Sequence, residues 1–275
     1  MQVARIGLVA LAAASLVGCG ADNSPSPAAH PTSVVAASTC DLGTLDGSYL
    51  YEIHGSAQFK QGFAPFYEVG VMAFDGKGGV ARIGTDSISR SEATTKMTYQ
   101  VGADCVGQLT SSSGGTYRAT VSPAGDEVTF FAAGDVKAQA ALDGGATKVG
   151  AEESIDCHAG SLVGTYQYRS RSVVGTSTHI EHGFEVYDGK GAVTNAYRVA
   201  GVDKPQRLAG AFVLKDACHA VVTYQDGPTI DEYISPDGAE FYWIQTDAAK
   251  EPGFFGGHEH RVSSSTATTI TTPVS

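Results

Sequence analysis

The stretch Phe74–Val80 reads Phe-Asp-Gly-Lys-Gly-Gly-Val, and Tyr187–Val193 repeats it as Tyr-Asp-Gly-Lys-Gly-Ala-Val. The two stretches lie 113 positions apart (187 minus 74). Each combines an aromatic residue, an Asp-Gly turn signal and a following valine, a pattern typical of two β-strands joined by a tight turn. The repetition indicates that the domain around this turn occurs twice in the chain.

Other anchors confirm the duplication within the sequence. Cys105 aligns with Cys218, and residues 122–125 align with 235–238, both at the same offset of 113 (218 minus 105, 235 minus 122). The segment that opens each copy, Cys-…-Gly-x-Tyr-x-Tyr, returns at 117 (157 minus 40), so the second copy loses four residues before the turn. We assign the copies to residues 40–149 and 157–262, with 150–156 as the linker.

The hydrophobic pattern within each copy has a period of two, which is typical of strands. In the first copy Tyr49, Tyr51 and Ile53 alternate with their neighbours. Further segments of this copy that read as strands are 67–74, 96–101, 116–121 and 127–131. Many short strands separated by Gly-rich turns predict an all-β fold of two tandem antiparallel β-barrels, with β-sandwiches as the alternative.

The cysteines follow the repeat. Four of them, Cys40, Cys105, Cys157 and Cys218, lie within the two copies. Four cysteines allow three pairings, and only Cys40–Cys105 with Cys157–Cys218 places one bridge in each copy. Each bridge closes a loop of roughly 60 residues and stabilises its domain by about 4 kcal/mol in the chain-entropy model.

The N-terminus predicts export. Residues 1–18 contain one charge, Arg5, and then an apolar run that is too short to span a bilayer. The run ends in Leu-Val-Gly-Cys, which resembles the bacterial lipobox and implies that Cys19 is lipidated. Gly20 at the next position, in place of Asp, implies sorting to the outer membrane, on its periplasmic face or at the cell surface. Residues 19–39 read as a flexible tether, and residues 263–275 as a disordered tail.

Charge and composition limit the partners. Removing residues 1–18 removes one of 18 basic residues and none of 29 acidic ones, which leaves a net charge of −12 (17 minus 29). This acidic balance argues against nucleic acid, because phosphate recognition needs clustered Lys and Arg. The expected partner is a membrane, to which the N-terminal lipid would attach the protein.

The combined pattern of Gly-x-Tyr-x-Tyr, then Phe/Tyr-Asp-Gly-x-Gly-x-Val, then Cys covers both copies. It resembles secreted bacterial lipoproteins with tandem barrels of the lipocalin-like or allene-oxide-cyclase-like class. The resemblance implies small β-barrels that bind hydrophobic small molecules. Some barrels of this class steer the cyclisation of the molecule that they bind. Its motifs are structural, so no catalytic residue carries over.

No nucleophile elbow, zinc-protease motif, P-loop or dinucleotide-binding motif occurs. The Asp-Gly-Lys-Gly strings lie between strands with no following helix, which favours hairpin turns over phosphate loops. Histidines distinguish the copies: His182 replaces Val69, and His258 and His260 face no histidine in the first copy. We expect these three to point inward in the second copy and, with Glu181 or Glu259, to form a candidate site for a ligand or a zinc or iron ion.

The aromatic residues Tyr166, Tyr168 and Trp243 are further candidates, as walls of a ligand cavity. Three functions follow. The first expectation is an envelope lipoprotein without a resident cofactor that binds a small hydrophobic molecule or a surface partner through a barrel. The second is a barrel enzyme, a cyclase, isomerase or metal-dependent catalyst that uses the histidines of the second copy. The third is a structural or adhesive lipoprotein.

Overall fold

The structure, a computed structural model, describes residues 39–59, 62–133, 141–151, 157–174, 177–216, 218–247 and 253–266. The predicted signal peptide, Cys19 and the tether as far as residue 38 lie outside the described residues. So do residues 152–156 of the predicted linker and 267–275 of the predicted tail. Within the described ranges, no helix is long and apolar enough to cross a membrane.

The first copy forms a closed antiparallel barrel of eight strands, in which β1 pairs with both β2 and β8. The prediction of a barrel is therefore confirmed over the sandwich alternative. The strands are β1 (Asp46–Phe59), β2 (Gly62–Asp75), β3 (Gly79–Asp86), β4 (Glu92–Val101), β5 (Val106–Ser111), β6 (Thr116–Val121), β7 (Glu127–Ala132) and β8 (Ala141–Gly150).

The second copy closes in the same way, with β9 paired to both β10 and β17. A two-residue strand, β16, adds to β9 at the rim. The strands are β9 (Val163–Val174), β10 (Ser177–Asp188), β11 (Ala192–Val199), β12 (Gln206–Leu214), β13 (His219–Tyr224), β14 (Thr229–Ile234), β15 (Glu240–Gln245), β16 (Gly253–Phe254) and β17 (Gly256–Ser263). Short 3₁₀ turns, Leu42–Thr44 and Ala159–Ser161, precede the first strand of each barrel.

The repeated Asp-Gly-Lys-Gly strings are hairpin turns, as predicted. The Asp75 Oδ1 atom accepts hydrogen bonds from the backbone N–H groups of Lys77 and Gly79, at 2.8 Å each. Asp188 makes the equivalent two bonds in the second copy. Gly76 has φ of +67°, a left-handed conformation that side chains other than glycine rarely adopt. These backbone donors are therefore used within the turn itself.

The two disulfides join the predicted partners. Cys40 is bonded to Cys105, and Cys157 to Cys218, with sequence separations of 65 and 61 residues. Each bridge ties the segment before the first strand of a barrel to the turn between its fourth and fifth strands. The duplication is thus preserved in covalent structure as well as in strand order.

Side chains fill the interior of the first barrel. Tyr49, Tyr51 and Ile53 point inward from β1 and are buried, as the alternation predicts. Among the described residues of this barrel, one carboxylate is buried in the interior, Glu68, and it has a positive partner: Arg82 Nε lies 3.4 Å from its Oε1 atom. The hydroxyl of Tyr51 donates to the same oxygen at 2.5 Å. The charge inside this barrel is therefore paired.

The barrels pack against each other through the outer face of β1 and β2 on one side and that of β14, β15 and β16 on the other. Tyr67 stacks on Phe254 with 5.0 Å between ring centroids. Thr85 donates to a carboxylate oxygen of Asp231 at 2.8 Å. The apolar residues that the first barrel buries in this contact are Leu50, Tyr67, Val69 and Val71.

Candidate functional site

The second barrel encloses a cavity of about 260 Å³ near the end that carries the β9–β10, β11–β12 and β13–β14 turns. Strand alternation positions its walls. β10 directs Glu181 and Glu185 inward, and β11 directs Asn195 and Tyr197 inward. Trp243 reaches in from β15 on the opposite side. The interior of a small barrel that holds one ligand is built in this way.

Glu185 is the most extensively hydrogen-bonded group at the cavity. Its Oε1 atom accepts from Asn195 Nδ2 at 2.6 Å and from the Tyr224 hydroxyl at 2.5 Å, and its Oε2 atom lies 2.5 Å from the Tyr187 hydroxyl. Only 2% of the residue is exposed. Three donors on one buried carboxyl favour its ionised form, since a carboxylate accepts at all its lone pairs.

Tyr187 connects Glu185 to a second buried carboxyl. Its hydroxyl lies 2.5 Å from Glu185 Oε2 and 2.5 Å from Glu232 Oε1. A phenol has one proton, so it donates to one carboxyl and must accept from the other. Because Glu185 already accepts from two other donors, the favoured arrangement is a protonated Glu232 that donates to Tyr187, which in turn donates to Glu185.

A third carboxyl, Glu259, is fully buried in the same interior. Neither of its oxygens, nor Glu232 Oε2, has a hydrogen-bond partner among the described residues. No ion pair within those ranges involves Glu185, Glu232 or Glu259. Three carboxyls without a basic partner form an uncompensated acidic cluster, unlike the paired Glu68 of the first barrel.

Burial sets the protonation of this cluster. It raises the pKa of Glu185 to about 7, and the hydrogen bonds from Tyr187, Tyr224 and Asn195 oppose a larger rise. Burial, followed by the charge of Glu185, raises the pKa of Glu232 and of Glu259 well above the ordinary range. Burial and the neighbouring carboxylate therefore favour the protonated forms of Glu232 and Glu259, while Glu185 titrates near neutral pH.

The first copy has apolar residues at the positions of the three buried carboxyls. At the offset of 113, Glu185 aligns with Met72, Glu232 with Ala119 and Glu259 with Ala146. All three residues of the first copy are buried within its apolar core. Asn195 aligns with Arg82, so the second copy also lacks the arginine that pairs with Glu68.

The predicted histidines lie outside the second barrel, so the expectation that they point inward is wrong. His182 and His260 are exposed and His258 is half-buried, whereas Glu181 and Glu259 beside them face inward. The inference failed because Val69, the counterpart of His182, is buried on the outer face of its barrel, against the neighbouring barrel. An apolar residue there marked the contact between barrels and not the core.

The structure also keeps the histidines apart. In register, Arg169 of β9 lies between His182 of β10 and His258 of β17. Two strand spacings, about 9.5 Å, separate the two histidine positions. Within the described ranges no group of three or more His, Cys, Asp or Glu side chains is arranged to hold a metal ion. His258 Nε2 instead lies 3.2 Å from Glu240 Oε2.

His258 also lines a second, larger space, a groove of about 620 Å³ between the barrels. Its walls include Arg169, Arg171 and His54, which stand on outer strand faces. The groove is lined by residues on outer strand faces, whereas the barrel cavity is lined by inward-pointing side chains from several strands, including one buried carboxyl. The barrel cavity therefore remains the better candidate site.

Two of the three predicted aromatic residues line the barrel cavity, Tyr168 and Trp243. The indole Nε1 of Trp243 has no hydrogen-bond partner among the described residues. Tyr166 lies outside the cavity lining, and its hydroxyl donates to the Gly238 carbonyl at 2.8 Å. Arg261 donates to the hydroxyl of Tyr166 at 3.1 Å, which helps to close this opposite end of the barrel.

Sequence reasoning missed Glu185 and Glu232, and it considered Glu259 only as a partner of the histidines in a ligand or metal site. The signal was available in the alignment of the copies, where carboxyls replace Met72, Ala119 and Ala146. The arrangement offers one titrating carboxylate, aromatic walls and an unpartnered indole N–H to whatever enters the cavity. Comparison of the chain with protein-family models and with curated proteins finds no match.

Proposed function

We propose that this protein is a cell-envelope lipoprotein whose second barrel binds a small organic molecule, and whose first barrel is a structural partner. The observation that carries the proposal is the cavity of about 260 Å³ with Tyr168 and Trp243 on its walls and Glu185 at its polar side. Ligand sites in proteins are concave, largely apolar and equipped with a few oriented polar groups.

The difference between the copies supports a binding role. Buried carboxyls without basic partners destabilise a fold, and the first copy shows that methionine and alanine suit the equivalent positions. Departures from a well-packed core are expected at functional sites. The acidic cluster of the second barrel is therefore better explained by binding than by stability.

The location follows from the N-terminal sequence. A lipid on Cys19 would anchor the chain to the outer membrane, with residues 20–39 as a tether. A lipocalin-like barrel held there would meet small molecules that enter or leave the envelope. The structural or adhesive alternative has no comparable observation in its favour.

The test uses Trp243, because it is the only tryptophan of the chain and lines the cavity. The full mature chain, produced in an oxidising compartment, is titrated with a library of neutral, cationic and anionic small molecules while tryptophan emission is recorded. Native mass spectrometry of the same samples reports bound mass. A ligand of the cavity must change the emission and add its mass at a ratio of one to one.

Phe130→Trp is the matched control, because it adds a fluorophore at the aligned position of the first barrel and leaves Trp243 in place. The same ligands should change the emission of this variant by the same absolute amount as in the native protein, since only Trp243 responds. If no compound changes the emission of the native protein and no adduct is found, the binding function is refuted.

A second candidate function has one observation behind it, the proton path Glu232–Tyr187–Glu185 that ends at the cavity. A carboxyl with a pKa of about 7 suits general acid–base catalysis at neutral pH. If the barrel is an isomerase or cyclase, Glu185 rather than the outer histidines would move the proton. Incubation of the bound compound would then yield a product with the native protein and none with Glu185→Gln.

A further inference from the structure

The aromatic content of the cavity is high for its size. Five of the residues that line it are aromatic: Tyr168, Tyr197, Tyr224, Trp243 and Phe255. Aromatic faces carry negative partial charge, so several faces around one space attract a cation that is too large or too weakly hydrated to prefer water. An apolar ligand alone would be served equally well by aliphatic residues.

The charges at the cavity have one sign. Its acidic lining residues are Glu181, Glu185 and Asp247, and the described lining contains no Lys, Arg or His. Glu181 aligns with Glu68 of the first copy, where Arg82 supplies the positive charge. In the second copy Asn195 stands at the position of Arg82. The second barrel has kept the carboxylate and lost its internal cation.

An independent sign of an unfilled site lies on the cavity wall. Trp243 Nε1 is buried there without a hydrogen-bond partner among the described residues. Buried polar groups in native proteins nearly always have partners, which can be supplied by a ligand. The indole N–H would donate to an acceptor on that ligand.

We propose that the ligand of the second barrel is a small organic cation, an alkylammonium compound with a hydrogen-bond acceptor such as a hydroxyl group. This inference rests on the proposed function and names the ligand class of the same cavity. The ammonium group would lie among the aromatic walls with the Glu185 carboxylate as counter-ion. It would replace the charge that Arg82 provides inside the first barrel.

The test compares choline with its neutral carbon isostere, 3,3-dimethyl-1-butanol, which has the same shape and hydroxyl group without the charge. Both are titrated into the full mature protein at pH 8, with tryptophan emission and isothermal calorimetry as readouts. We expect choline to bind at least tenfold more tightly than the isostere. Glu185→Gln should reduce that ratio several-fold, whereas Glu127→Gln, on the exposed face of the first barrel, should leave it as in the native protein.

A second variant guards against misfolding of the Glu185 variant. Tyr197→Leu removes one aromatic wall without touching the buried carboxyls, and it should lower the ratio by weakening only the binding of the cation. Equal affinity of the two probes, or a ratio that survives Glu185→Gln, would overturn the inference. Tight binding of neutral or anionic compounds in the fluorescence screen would also overturn it but leave the proposed function standing. A screen with no binding at all would refute both.

Discussion

Replacing Glu185 by glutamine tests the protonation of the acidic cluster through the stability of the fold. Burial raises the pKa of this carboxyl from 4.5 to about 7. The folded protein therefore binds more protons than the unfolded chain between these pH values, and stability falls as pH rises through this window. Each tenfold change in proton affinity corresponds to about 1.4 kcal/mol, so Glu185 alone should remove about 3 kcal/mol of stability between pH 4 and pH 8.

Glutamine keeps the shape of the side chain and has no proton to lose. The free energy of unfolding of Glu185→Gln should therefore gain about 3 kcal/mol relative to the native protein between pH 4 and pH 8. Urea denaturation with intact disulfides, followed by circular dichroism at each pH, measures this difference. Burial also raises the pKa values of Glu232 and Glu259, so both proteins should in addition lose stability as pH rises through the pKa values of these two groups.

The exposed Glu127→Gln change supplies the baseline for the loss of one carboxyl from the surface. A difference between the native protein and Glu185→Gln that is constant from pH 4 to pH 8 would show that Glu185 is not a buried, titrating carboxyl. A native stability that rises across this range would point to the same error. Backbone hydrogen bonds of the turns lower the pKa values of Asp75 and Asp188. These two carboxylates therefore change the stability only below this pH window.

Three further predictions concern stability. Replacing Cys157 and Cys218 by alanine opens a loop of 61 residues and should lower the free energy of unfolding by about 4 kcal/mol; insensitivity of the native denaturation midpoint to reductant would contradict this. Gly183→Ala would place a Cβ atom 2.5 Å from the Ala196 carbonyl oxygen and 2.9 Å from the Tyr168 ring, and it should cost about 1–3 kcal/mol, measured by urea denaturation; an unchanged midpoint would refute this close contact between β10 and β11. Thr85→Val removes the hydroxyl that donates to the buried carboxylate of Asp231 at the contact between the barrels and should lower the free energy of unfolding by about 1–3 kcal/mol. Calorimetry should show a lower unfolding temperature, and an unshifted transition would exclude a contribution from this hydrogen bond.

The fold was predictable because its signals are local and occur twice. Alternation at Tyr49, Tyr51 and Ile53 identified an inward face, and the structure buries all three. The disulfide pairing followed from the offset between copies, since Cys105 and Cys218 stand at the same position of the repeat. Such patterns depend on the period of a strand and on covalent spacing, and neither requires knowledge of how the domains pack.

The site was harder to predict because alternation gives two faces without saying which one is inside. In β2 both faces are buried, Glu68 and Met72 within the barrel and Val69 against the neighbouring barrel. Hydrophobicity alone selected the face of Val69, and this error moved His182 inward. With His182 assigned to the inside, alternation leaves Glu185 on the opposite face, although its aligned residue Met72 lies in the core.

The contact between the barrels joins two different surfaces, and a contact of that kind can in principle be repeated by a third unit and then a fourth, as in an open filament. Here each copy retains only one of the two surfaces. The second copy exposes His182 where the first buries Val69, and the first exposes Thr120 where the second buries Tyr233. Polar residues on these two outer surfaces act like those of the capping units of a repeat array, so the histidine that distinguishes the copies disfavours the same contact with another barrel.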